Sequence, residues 1–288
     1  MGNLPQPPQS AKQCRQFLVE PKYWVEREEV EKRLAGWDRQ WLVGFRDITA
    51  AMVERTGIFA IVPRCAVGNT TTLLFPGKGF VGPWTCCLLA NLNSLVADYF
   101  IRTKLTYVHL SQFVLKQIAI VHPAAYKLED HQFIVPRTLG LVDTADDIHS
   151  FGDDVWCASD SGIRAAITEL IDSTGLSPDS RPVFRWKESS RGHHRAELDA
   201  YYAHLYGLTR GELRYILDPK DVFGEDFPSE TFRVLKEREI KEYGEYRTQR
   251  LVLEAFDKLA ESPRFRDEMP KRVSAFEVPT KKHSQAAN

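Results

Sequence analysis

Apolar positions at helical spacing are densest between Trp84 and Tyr99. There Leu88, Leu92, Leu95, Val96 and Tyr99 share a stripe and predict a long core helix. A cationic patch follows, Arg102 and Lys104, then Thr106, Tyr107 and His109, and a second apolar run from Phe113 to Val121 ends at Pro123. The pattern predicts two buried segments bracketing a short exposed polar elbow. Upstream, Glu26 to Leu34 reads as a short charged helix with acids at its N-terminal end, closed by Gly36. Trp41 to Arg46 and Gly57 to Pro63 read as strands joined by RDITAAMVERT. Arg64, Asn69 and the run Thr70 to Thr72 mark a polar loop or strand end before Leu73 to Phe75, and FPGKGFVGP reads as a turn punctuated by Gly and Pro.

Downstream, Tyr126 to Thr144 has weak periodicity and reads as strand and loop. Asp146 to Asp172 reads as one or two helices, with Ile163, Ala166, Ile167, Leu170 and Ile171 on one face and Gly175 as the stop. Leu176 to Pro182 reads as a linker and the seam of the chain. Beyond it the pattern is helical: Glu188 to Tyr206 ending at Gly207, and Arg210 to Leu217 with Thr209 as N-cap. Asp218 to Phe227 reads as a loop, and Ser229 to Ala260 as helix with a break at Gly244. The resulting organisation is a disordered segment over 1–20, an α+β domain over 21–175, a helical subdomain over 183–262 and a flexible tail over 263–288.

Composition narrows the class only slightly. At 288 residues, 43% hydrophobic and 27% charged, the chain has the make-up of a soluble globular protein. A formal net charge of -1 excludes a global positive field, so contact with a polyanion requires local clusters of Lys and Arg. Five cysteines without C-x-x-C spacing argue against a disulfide framework or a zinc site, and point to a cytoplasmic protein. The N-terminus lacks a signal-peptide core, and no apolar run is long enough to span a membrane.

Candidate catalytic motifs are fragmentary. Phe75 to Gly79 has the F-x-G-x-G form of an S-adenosylmethionine loop, and Asp98 lies near the spacing of a ribose-binding acid, but inside a predicted helix. Glu239-Ile240-Lys241 supplies the E-x-K of a metal-dependent nuclease, again within a helical pattern. His193, His194 and His204 sit on different helix faces, which suits solvent and core better than a metal. No nucleophile elbow or P-loop is present. What remains is a set of polar groups at loops and element ends, able to grip phosphates or read base edges: Arg46, Arg55, Arg64, Asn69, Lys78, Lys104, His109, Gln112 and Lys116. Several of these would equally serve as ion-paired scaffold.

The run KYWVEREEVEKRLAGWDRQWLVGFRDITAAMVERTGIFAIVPRCAVGNT resembles the C-terminal target-recognition region of adenine-specific DNA methyltransferases of type IIG and type IIL restriction-modification systems and related phage-defence systems of bacteria. LLANLNSLVADYFIRTKLTYVHLSQFVLKQIAI resembles that family's segment L-N-S-x-x-x-D-Y-x-x-R-x-K followed by T/V-H-L-x-x-F-x-L-K-Q-L-P, with Ala119 where proline is usual. RAELDAYYAHLYGLTRGELRYILDP and SETFRVLKEREIKEYGEYRTQRLVLEAFD resemble its closing helices, so the likeness covers residues 20 to 262. It implies an α+β fold: a mixed-sheet target-recognition lobe around a long core helix, then a helical subdomain. It implies a DNA-recognition module without catalytic motifs of its own. Its partners would be double-stranded DNA and a methyltransferase or restriction subunit, with S-adenosylmethionine used by a catalytic domain elsewhere. By the same resemblance, Arg46, Arg55, Arg64, Asn69, Arg102, Lys104 and His109 would lie at or beside DNA, whereas Tyr243, Tyr246 and Arg247 would pack against the recognition lobe. The alternative is a scaffold subunit of a defence complex that makes no DNA contact.

Overall fold

The computed structural model describes residues 7–77, 79–80, 82–171 and 181–267. Strand β1 (Trp41–Arg46) lies between β2 (Phe59–Pro63) and β3 (Thr71–Leu74), and both pairings are antiparallel. Helices α1 (Gln9–Gln13) and α2 (Arg27–Arg33) precede the sheet. After it come α3 (Pro83–Leu92), α4 (Leu95–Lys104), α5 (Gln112–Leu115), α6 (Leu128–Val142), α7 (His149–Ala158) and α8 (Ser161–Ile171). The C-terminal part is helical: α9 (Glu188–Leu205), α10 (Arg210–Leu217), α11 (Pro219–Phe223), α12 (Arg233–Tyr243) and α13 (Arg247–Ala260). The fold is α+β.

Two apolar clusters form the interior. One joins Trp41, Val43, Phe45, Phe59 and Ile61 of the sheet to residues of α3, α7 and α8. The other lies among α9, α10, α12 and α13, around Tyr202, Leu213, Phe256 and Phe265. Helices α3, α4 and α6 divide their faces between them. Cys87, Leu95, Val96 and Ile134 belong to the helical cluster, and Cys86, Leu89, Ile101, Val135 and Leu139 to the sheet cluster. Alternation at 3.6 residues per turn lets one helix cover two apolar surfaces. A boundary through α3, α4 or α6 would expose both, so the sheet and the C-terminal helices are held by shared partitions.

The structure departs from the sequence pattern in several places. The sheet is antiparallel throughout rather than mixed, because no crossover helix separates its strands. The long core helix is two helices. Ser94 ends the first and caps the second: its hydroxyl accepts from the Ala97 amide at 3.2 Å, and the buried Asp199 carboxylate accepts from the Leu95 amide at 2.7 Å. The second apolar run is not a buried segment. Only Gln112–Leu115 is helical, and Phe113 is 76% exposed. Conversely, Tyr126 to Thr144 contains the fifteen-residue helix α6, hidden from pattern reading by Pro136 and Gly140 in its interior. Asp218 to Phe227 contains the short helix α11, started by Pro219 with Asp218 as its cap.

The chain ends are also more engaged than their composition suggests. Arg15 is buried, donating to the carbonyls of Asp143 and Phe184 and pairing with Asp143 and Asp146. Phe265 is fully buried, and Arg264 pairs with Asp130 at 2.8 Å. Residues 1–6, 172–180 and 268–288 lie outside the described residues, and with them Gly175 and most of the expected linker. Arg181 of that linker is fixed on Asp143 and Asp153.

Candidate nucleic-acid interface and an adjacent cleft

The connection between β1 and β2 (residues 47–58) is long, and its shape is set by α4. Asp98, in the first turn of α4 and with no solvent exposure, accepts from the Thr56 amide at 3.0 Å and the Gly57 amide at 2.7 Å. Two guanidinium groups balance its charge, Arg55 at 3.4 Å and Arg102 at 3.3 Å. Arg102, one helical turn on, encloses the loop: its Nη atoms donate to the carbonyls of Ala51, Val53, Glu54 and Thr231 at 2.6 to 3.0 Å. Its side chain is 6% exposed and lies over the Phe232 ring. Gly57 leaves room for this arrangement, since a Cβ there would come within 2.6 Å of Ile101. Asn93 fixes the other end, its side chain bonding both the amide and the carbonyl of Phe59.

The loop so held aligns two neighbouring segments. The Asp47 amide donates to the Thr70 carbonyl at 2.9 Å, the Leu110 amide to the Asp47 carbonyl at 2.8 Å, and the Thr49 amide to the Val108 carbonyl at 3.0 Å. Ile48 and His109 face each other in an isolated bridge. The turn before β3, the loop and the elbow after α4 therefore lie side by side on one rim. Exposed on it are Asn69, Ile48, Lys104, Tyr107, Val108, His109, Gln112, Phe113 and Lys116. Tyr107 is 81% exposed. His109 is partly committed, its Nδ1 lying 3.0 Å from the Asp47 carboxylate.

The seven basic and amide candidates separate cleanly. Asn69, Lys104 and His109 are exposed on the rim. The other four are engaged in holding the fold. Arg102 and Arg55 serve Asp98, and Arg55 also donates to the Asn93 carbonyl. Arg46 bonds the Arg55 carbonyl at 2.6 Å and Thr49 at 3.1 Å, and burial lowers its pKa. Arg64 pairs with Glu31 at 2.7 Å and donates to the carbonyls of Trp37, Arg39 and Leu34, closing α2 onto the sheet. Lys78 lies outside the described residues.

A plain sequence signal marks the rim and is separate from its basic residues. Between Asp98 and Glu129 there is no acidic residue, while Arg102, Lys104, Lys116, Lys127, His109 and His122 fall in that span. Of these cations Lys104, His109 and Lys116 are exposed on the rim, whereas Arg102 is balanced by Asp98, and the Asp47 carboxylate lies beside His109. The aromatic residues Tyr107 and Phe113 within it are the feature that basic-residue counting overlooks.

A cleft of about 630 Å³ opens on the other side of the loop, between β2 and helices α9, α12 and α13. Its walls include Arg55, Ile61, Ala90, Arg191, Arg195, Asp199, Tyr243 and Arg247. Strand β2 is the sheet edge here. Phe59 is already bonded to Asn93, and Pro63 has no amide hydrogen, so the edge is largely blocked to another strand. Tyr243 and Arg247 line this cleft, and Tyr246 is buried beneath it.

The fragments of catalytic motifs resolve into architecture. FPGKG joins β3, an outer antiparallel strand, to α3, whereas nucleotide-type cradles follow a parallel strand. Glu239 is buried and accepts from the Thr248 amide and hydroxyl at 2.7 and 2.6 Å, capping α13. His204 is stacked between Phe256 and Phe265, and His193 is exposed, its Nδ1 lying 2.8 Å from the Ser189 carbonyl. Burial pushes the Cys86 and Cys87 thiols up, so neither is a thiolate at neutral pH. Among the described residues no His/Cys/Asp/Glu group has metal-site geometry, and no helix is long and apolar enough to cross a membrane. No family model, curated protein or solved structure matches the chain.

Proposed function

We propose that the chain is a sequence-specific DNA-recognition module, of the kind that directs a restriction-modification or phage-defence DNA methyltransferase acting through a separate catalytic domain. The observation that carries this reading is the largely exposed segment from Lys104 to Lys116, which has no acidic residue of its own and is buttressed by the Asp98–Arg102 clamp. Lys104 and Lys116 suit phosphate contacts, because a flexible ammonium group follows a phosphate without reading a base. Asn69 and Gln112 carry the paired donor and acceptor that read base edges, and the projecting Tyr107 and Phe113 rings suit stacking or wedging. The resemblance in LNSLVADYFIRTK and VHLSQF is consistent with this role, although most of its polar members hold the loop rather than face outward.

The test is a mobility-shift titration of mixed-sequence duplex DNA at low salt, alone and with a co-expressed methyltransferase subunit. Binding weakened by Tyr107→Ala and Lys104→Ala supports the reading, and absence of binding in both settings rejects it. A second reading, a scaffold subunit of a defence complex, is favoured by the apolar residues Ile48, Met52, Val108 and Phe113 exposed near the same rim. It is distinguished by a stable protein complex whose DNA affinity is indifferent to Lys104→Ala.

A further inference from the structure

The chain pairs most of its buried or half-buried arginines with carboxylates, but Arg191 and Arg247, which line the cleft together with the exposed Arg195, have none within 4.0 Å among the described residues, and Arg195 has none either. Arg191 and Arg195 are one turn apart on α9, and the guanidinium of Arg247 at the start of α13 comes within 3.3 Å of where a Gly192 Cβ would lie. Gly192 therefore permits the third guanidinium to approach the other two. Arg191 is only 7% exposed, and its Nε is buried without a hydrogen-bond partner among the described residues. One Nη reaches the Leu141 carbonyl at 2.8 Å, and the guanidinium lies on the Trp186 ring.

The acids lining the cleft have other direct partners, and Glu188 and Asp199 act on Arg191 and Arg195 only across space. Glu54 pairs with Arg238 at 3.1 Å, Glu188 accepts from the Trp186 indole at 3.1 Å, Asp199 accepts from the Leu95 amide and Glu239 caps α13. Like charges crowd one another: burial, then the neighbouring Arg195, pulls the Arg191 pKa down to about 10. Burial makes the unpartnered Arg191 Nε costly, and the more exposed Arg195 and Arg247, the latter over the Tyr243 ring, add positive charge that an anion in the cleft would balance.

We propose that the cleft is an oxyanion site that takes a phosphate group, held by Arg191, Arg195 and Arg247. Three planar, charged forks around one cavity suit the tetrahedral oxygens of phosphate better than a single carboxylate. The phosphate can belong to a free nucleotide or to a nucleic-acid backbone. The site is independent of the rim proposed for DNA recognition, and variants of Lys104 and Lys116 leave it intact.

The experiment measures thermal stabilisation of the full chain by inorganic phosphate against chloride at matched ionic strength, for the wild type, the double variant Arg195→Gln/Arg247→Gln and the control Arg210→Gln. Arg195 is exposed and Arg247 half-buried, so the double variant keeps the core, which its melting curve in chloride verifies. Phosphate is expected to raise the midpoint of wild type and control, with an apparent affinity about tenfold or more weaker in the double variant. Two further arms, adenosine monophosphate and a short duplex, identify the source by which of them loses affinity in that variant. Equal phosphate stabilisation of the double variant and wild type, or none in either, overturns the proposal.

Discussion

Replacing Asp98 by Asn removes one charge and leaves the shape of the side chain unchanged. The carboxylate is fully buried and receives the amides of Thr56 and Gly57 together with Arg55 and Arg102. In Asp98→Asn the new amide oxygen can still accept from Gly57, but its NH₂ then faces further donors, and the 6%-exposed Arg102 loses its counter-ion. Removing one partner of a buried pair costs about 3–5 kcal/mol, and a hydrogen bond to a charged group contributes about 1.5–3 kcal/mol. With the Gly57 bond retained and Arg102 still caged by four carbonyls, Asp98→Asn is expected to cost about 3 kcal/mol. In a chain of this size that lowers the melting midpoint by ~6–12 °C. Urea unfolding followed by tryptophan fluorescence measures it, and limited proteolysis reports loosening of residues 47–58. Adding Arg102→Met should cost less than the sum of the single changes, since the orphaned cation goes with it. A loss under about 1 kcal/mol, additive with Arg102→Met, would refute the clamp.

Other consequences follow from the same geometry. Burial raises the Asp199 pKa to about 6, above its ordinary carboxylate value, so its protonated form is favoured by folding. Its contribution is complete below about pH 4 and is lost as pH rises through about 6, which makes wild type lose up to about 3 kcal/mol relative to Asp199→Asn over that interval. Chemical denaturation at a series of pH values checks this, and parallel curves for the two proteins would contradict it. Gly57→Ala places a Cβ 2.6 Å from Ile101 and 3.2 Å from Phe59, and is expected to cost about 1–3 kcal/mol in a urea midpoint.

Strands β1 and β2 and helices α9, α10, α12 and α13 are legible in the sequence, because apolar runs and helix caps mark them there. β1 carries five consecutive buried residues, and Thr209 with Glu212 forms the capping box that opens α10. The helix break at Ser94 is not legible, because the apolar stripe continues across it and the cap that enforces it is made partly by Asp199, distant in sequence. Nor is α6, because Pro136 and Gly140 lower local propensity, and two apolar faces rather than one stabilise it. Basic residue type alone does not separate the candidate site residues. Arg102 and Lys104 are two positions apart, yet one points into a cage of carbonyls and the other into solvent. The motif polar residues Asn93, Asp98 and Arg102 hold the loop, Ser94 caps α4, and the exposed surface beside them is written in Tyr107, Gln112, Phe113 and Lys116.

Whether the rim grips DNA is read from the salt dependence of duplex binding. If Lys104 and Lys116 each neutralise a phosphate, Lys104→Gln/Lys116→Gln should weaken binding across all sequences and reduce the slope of log affinity against log salt by about 1.8. Melting curves should not change, because both side chains are exposed and outside the clamp. An unchanged slope and affinity in that variant, or no duplex binding by the wild-type protein at low salt with or without a co-expressed methyltransferase subunit, would overturn the DNA-recognition reading.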